Sequence, residues 1–117
     1  MIATPQPVAA PLTGPTRAAV VWIDRRHAAI ATIDLEGTTH RGEVARGSSR
    51  EREYLDRIVD AVGDRDRLLI LGPDALRACL EREYVTRFPG VRHLVDVEPY
   101  GPRSADQLDR QVRQLAR

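Results

Sequence analysis

The chain has 117 residues, enough for one domain to bury a core without disulfides or metals, and its lone Cys79 excludes an intramolecular bridge or a zinc ribbon. All eighteen basic residues are Arg, against seventeen acids, so the formal charge of +1 excludes the strong overall phosphate attraction of a DNA-coating protein and leaves room only for a local basic patch. No basic segment followed by an apolar run opens the chain, and no stretch is apolar for long enough to cross a bilayer. The expectation is a cytoplasmic protein with no membrane contact.

Residues 1–17 are rich in Pro, Ala and Thr, and Pro5, Pro7, Pro11 and Pro15 remove backbone donors at short intervals, so a flexible arm is expected there. Residues 18–117 are expected to form one domain. It begins with Ala18-Ala19-Val20-Val21-Trp22-Ile23, a β-branched apolar run typical of a strand buried on both faces. Asp24-Arg25-Arg26-His27 is a polar turn, and Ala28 to Leu35 a second strand of the same hairpin. After Glu36-Gly37, Thr38 to Ala45 carries Arg41 and Glu43 and suits a strand at the sheet edge.

Ser48 and Glu51 have capping-box spacing, and Tyr54, Leu55, Ile58, Val59 and Val62 then recur on one helical face up to Gly63. Leu68 to Leu71 is a buried strand, predicted to lie parallel to the first. Gly72-Pro73 follows, with Pro73 placed in the first turn of a helix that buries Leu76, Leu80, Tyr84 and Phe88 before Pro89-Gly90. Val91 to Val97 reads as a fifth strand, and Ser104 with Gln107 as a capping box before a helix carrying Leu108, Val112 and Leu115. The order β-β-β-α-β-α-β-α, with right-handed crossovers, puts the first strand beside the fourth in a mixed five-stranded sheet covered by helices. This α/β arrangement is RNase H-like.

Three segments carry a family likeness: Ala19 to Ala28, Leu69-Ile70-Leu71-Gly72-Pro73-Asp74-Ala75-Leu76, and Val95-Asp96-Val97-Glu98 followed by Ser104-Ala105-Asp106-Gln107-Leu108. Together they resemble the small bacterial "translational machinery protein" family, over about Ala18 to Arg113. That family in turn is similar to the middle domain of archaeal and eukaryotic-type peptide chain release factors and of Pelota-like ribosome rescue factors. In release factors a loop bearing Gly-Gly-Gln joins the third strand to the first helix and positions water at the peptidyl ester. The corresponding segment here is Val44 to Arg50, and the sequence contains no Gly-Gly-Gln. The resemblance therefore implies a non-catalytic, translation-associated module without peptidyl-tRNA hydrolysis, with the ribosome or its RNA as partner and no cofactor. The domains that read the codon and bind GTPases do not accompany it in this sequence.

Three residue sets bear on chemistry. Arg25, Arg26 and His27 on the first hairpin, with Arg41, Arg46 and Arg50 on the third strand and the loop after it, offer guanidinium forks suited to RNA phosphates. Glu43, Glu51 and Glu53 are interleaved and would neutralise part of that surface. Asp24, Asp74 and Glu98 each follow a parallel strand, where an RNase H-like nuclease would hold two magnesium ions, with Asp106 and Asp109 as additional acids. The same acids also suit turn, first-turn and ion-pair roles, so no metal is expected. His27, His40 and His93 lack metal-ligand spacing. Trp22 is expected in the core, and an exposed sheet edge makes a protein-binding adaptor the third alternative.

Overall fold

The computed structural model describes residues 17–89, the backbone of 94–98 and residues 104–117. Eight elements follow in the expected order: β1 (Ala18–Ile23), β2 (His27–Ile33), β3 (Thr39–Ala45), α1 (Glu51–Val62), β4 (Arg67–Leu71), α2 (Leu76–Arg87), β5 (Leu94–Glu98) and α3 (Ala105–Leu115). They form a mixed α/β fold whose sheet runs β3-β2-β1-β4-β5. β1, with β2 antiparallel on one side and β4 parallel on the other, is buried at every residue. That is why AAVVWI is apolar throughout rather than alternating.

Alternate residues of the strands feed two cores. Val21, Ile23, Ile30, Leu68 and Ile70 meet Tyr54, Ile58 and Val62 of α1 and Leu80 and Tyr84 of α2 on one face. Val20, Trp22, Ala31, Leu69 and Leu71 meet Leu108 and Val112 of α3 on the other. The result is a helix-sheet-helix stack in which α3 alone covers its face among the described elements. Its start is as expected: the Gln107 amide donates to the Ser104 hydroxyl at 3.1 Å, and the Gln107 side chain accepts from the Ser104 amide at 3.1 Å.

Two helix starts differ from the sequence reading. α1 begins at Glu51, and it is Glu53, not Glu51, that accepts a backbone amide, from Arg50 at 3.0 Å. Ser49 of the loop and Arg57 of α1 fix the loop instead, with the Ser49 hydroxyl and the Arg57 guanidinium both donating to the Arg46 carbonyl. Ser48 therefore has no capping role. Pro73 and Asp74 precede α2 rather than forming its first turn, and the Asp74 carboxylate accepts the Leu76 amide at 3.0 Å. A short acceptor just outside a helix satisfies an orphan amide better than another turn of backbone would.

Arg17, assigned to the arm, is tied to the start of β4: its amide donates to the Asp66 carboxylate at 3.0 Å and its carbonyl accepts the Asp66 amide at 2.8 Å. The remaining arm, residues 1–16, lies outside the described residues, as do His93, Tyr100 and Arg103. No helix among the described residues is long and apolar enough to cross a membrane.

Candidate nucleic-acid interface

At the carboxyl ends of β1 and β4 the chain makes two close crossings. The β1–β2 turn is organised by Asp24, whose carboxylate accepts the amides of Arg26 at 2.7 Å and His27 at 2.8 Å. This is an Asx turn, in which the side chain replaces a backbone carbonyl and leaves the next residues pointing outward. Burial works against the Asp24 charge, yet the two amides and the nearby cations outweigh it and hold its pKa below the ordinary carboxylate value. The carboxylate is thus spent largely on its own turn.

The loop after β3 is joined to this turn. The Arg46 amide donates to the Arg26 carbonyl at 2.8 Å, extending the β2–β3 ladder past its last paired residues. From the helix side, the Tyr54 hydroxyl donates to the Asp24 carbonyl at 2.9 Å. Burial, and then the Asp24 charge, push the Tyr54 pKa well above its ordinary value, so the phenol stays a donor. The Arg46 guanidinium lies 5.8 Å from the Tyr54 ring centre, in cation–π range, and its Nε donates to the Ser49 carbonyl at 3.1 Å. Tyr54 thereby clamps both Arg-bearing loops to the domain body.

The consequence for the candidate residues is uneven. Arg25, Arg26, His27, Arg46 and Arg50 lie on the two joined loops, and Arg25 has 81% side-chain exposure. Arg26 and Arg50 are exposed and make no ion pair among the described residues. His27 is exposed and its ring tilts against Trp22, with centroids 5.6 Å apart. Arg41 stands apart from them. It projects from the middle of β3 and is held by Asp109 of α3, through Nε at 3.1 Å and Nη2 at 2.5 Å, with Asp106 at 3.4 Å. Arg41 in turn holds the Asp109 carboxyl below the ordinary carboxylate value.

The acids divide in the same way. Asp74 faces Arg25 at 3.6 Å across a cleft of about 340 Å³ lined also by Arg46, Glu51 and Cys79. Asp24 and Asp74 sit at the same end of the sheet, but both carboxylates already accept backbone amides. Asp106 and Asp109 are engaged by Arg41, and the Glu98 side chain lies outside the described residues. Among the described residues no three His, Cys, Asp or Glu side chains converge as metal ligands would. Chemically, the edge presents guanidinium forks on a turn fixed by backbone bonds, an arrangement suited to binding an extended polyanion.

Sequence reasoning missed the Tyr54 hydroxyl, because tyrosine on an apolar helical stripe reads as core. Its signal was available in principle, since a buried phenol needs a partner. It also missed Gly72, where an added Cβ would sit 2.2 Å from the Ile23 carbonyl oxygen. That close approach is what lets the end of β4 pass beside the end of β1.

The sequence matches no protein-family model and no curated protein. Among solved structures, the chain is similar to Archaeoglobus fulgidus Pelota, with a TM-score of 0.63 and 14% identity over 91% of this chain and 33% of that one. It is similar also to Thermoplasma acidophilum Pelota, with a TM-score of 0.60 and 24% identity over 85% of this chain and 33% of that one. The chain spans about a third of the length of the Pelota chains it matches. At these identities the likeness is one of fold: a mixed α/β domain similar to a domain of Pelota.

Proposed function

We propose that the protein is a non-catalytic, translation-associated binding module that contacts ribosomal RNA through the edge bearing Arg25, Arg26, Arg46 and Arg50. The observation that carries this reading is the 2.8 Å bond from the Arg46 amide to the Arg26 carbonyl, which unites two Arg-bearing loops into one surface. The Pelota-like fold and the sequence resemblance to the bacterial translational machinery proteins support the ribosome as partner. On this reading the sheet is the RNase H-like scaffold of a release-factor middle domain, with the short Val44–Arg50 loop where the Gly-Gly-Gln loop would stand. Arg41 leaves the proposed contact set, because it stands apart from the two joined loops, with Nε and Nη2 of its guanidinium on Asp109 of α3.

A charge-driven contact with phosphates weakens as salt rises, and each guanidinium removed lowers the slope of log affinity against log salt by about one. Sedimentation of the purified chain with bacterial ribosomes therefore shows co-sedimentation at low salt that falls at elevated salt. The Arg25→Ala/Arg26→Ala variant loses about two units of that slope and most of the bound fraction. Absence of co-sedimentation at low salt overturns the proposal. RNA cleavage that requires magnesium or manganese would instead favour the nuclease alternative at Asp24, Asp74 and Glu98.

A further inference from the structure

β3 is an edge strand with five of its seven residues exposed and none buried. Its two ends fix which way the backbone faces. The Asp34 amide donates to the Thr38 carbonyl at 3.1 Å and the Arg46 amide to the Arg26 carbonyl at 2.8 Å, so even-numbered residues turn their peptide groups toward β2. Thr39, Arg41, Glu43 and Ala45 consequently direct their N–H and C=O groups away from the sheet. These are the groups an added strand would use.

The charges on this edge change sign when the strand is read backwards, which makes it complementary to an antiparallel copy of itself. Arg41 and Glu43 flank Gly42, and both lie on the α3 face, opposite Ala31 and Ala29 of β2. If a second β3 pairs antiparallel about a two-fold axis through Gly42, Arg41 falls directly opposite Glu43 of the other copy, and Thr39 opposite Ala45. All four residues with outward peptide groups are then used, in hydrogen-bonded pairs. Sliding the strands by two residues in one direction sets Arg41 against Arg41, and in the other Glu43 against Glu43, which like-charge repulsion disfavours. The charges therefore select one register.

The two side chains are also equipped for the contact. Asp109 takes the Nε and Nη2 side of the Arg41 guanidinium and leaves Nη1 without a hydrogen bond among the described residues. Glu43 is exposed and makes no ion pair among them. At the axis, a Cβ added to Gly42 would meet nothing within 4 Å, so the strand centre is open to a close neighbour.

We propose that the outer edge of β3 docks a second copy of this chain, antiparallel and two-fold symmetric about Gly42, with Arg41 of each copy facing Glu43 of the other and the two sheets joined into one. A two-fold contact of this kind is self-complementary and closes, so it yields a dimer and no fibre. The dimer stands independently of RNA binding.

Light scattering at sub-millimolar protein then reports twice the 13.1 kDa chain mass. Glu43→Arg, which places two Arg side chains opposite each other at both symmetric positions, reports a monomer. Glu43→Pro does the same, because the lost N–H is an outward one and the β2–β3 ladder keeps its bonds. Register is read separately in a Cys79→Ala background. Gly42→Cys places the two thiols on a non-hydrogen-bonded pair with Cα atoms about 4.5 Å apart, within disulfide range, and cross-links on oxidation. Thr39→Cys, which faces Ala45 of the other copy, does not. A monomeric wild type, a dimer that survives both Glu43 substitutions, or a Gly42→Cys chain that fails to cross-link overturns the proposal; if the Glu43 variants fail to fold, the cross-link decides alone.

Discussion

Gly72 is the residue at which the backbone tolerates least. A methyl group there meets the Ile23 carbonyl oxygen at 2.2 Å, and neither partner is a flexible side-chain tip that can move aside. Gly72→Ala is expected to lower the unfolding free energy by about 1–3 kcal/mol or more, measured by urea denaturation. Tyr54→Phe removes the hydroxyl that holds the Asp24 carbonyl and is expected to cost about 0.5–1.5 kcal/mol in the same assay. The pH dependence has a definite sign for each group. Asp24 has a depressed pKa in the folded state, so its contribution is present above the carboxylate range and is lost as pH falls through it. Tyr54 has a raised pKa, so above about pH 10 the unfolded chain releases a proton that the folded one retains, and stability declines there. Asp24→Asn should flatten the acid limb of the stability profile, and Tyr54→Phe the alkaline limb.

At the level of elements, strand and helix identities were legible because their cause is local: an all-apolar AAVVWI in the sheet centre, a four-residue spacing in Leu76, Leu80 and Tyr84. The helix starts were less so. The Ser48–Glu51 spacing fits a capping box, but the chain uses Glu53 and a web of Arg46, Ser49 and Arg57 instead, a competition that spacing alone does not resolve. The same limit applied to the basic residues. The turn that displays Arg25 and Arg26 is readable from Asp24, whereas the Arg46–Arg26 backbone bond that joins the second loop to it is not, and the partner of Arg41, Asp109, lies sixty-eight positions away. An Arg41→Ala/Asp109→Ala double-mutant cycle followed by urea denaturation should show a favourable coupling that shrinks as salt rises, because two guanidinium nitrogens engage one exposed carboxylate. Leu108→Ala, which empties a buried position beneath α3, should cost more, about 2–5 kcal/mol.

For the whole molecule, the near-neutral total charge conceals its distribution. Arg25, Arg26, Arg46 and Arg50 lie on two joined loops with the ionised Asp24 and Asp74 beside them, so on the proposed reading the contact of this edge with phosphates rests on that local excess of Arg and not on the total charge. The proposed two-fold contact would place two such edges in one particle. Strands about 3.3 Å per residue long would set the two Ala45 residues, and the Arg46 loops beyond them, on opposite sides of the axis, about 20 Å apart. Two linked weak sites engage one large RNA more tightly than either alone when the geometry permits both to bind.

The dependence of one sheet face on α3 has a consequence for the newborn chain. The face against α1 and α2 can close once residue 88 is free, but among the described residues Val20, Trp22, Leu69 and Leu71 find no helical cover until Leu108 and Val112 arrive. A nascent chain halted after β5 would carry an oily patch with Trp22 at its centre, a target for holdase chaperones and for other unfinished chains. Trp22, 7% exposed in the finished domain and the chain's sole tryptophan, would report by its emission the moment at which that patch is sealed.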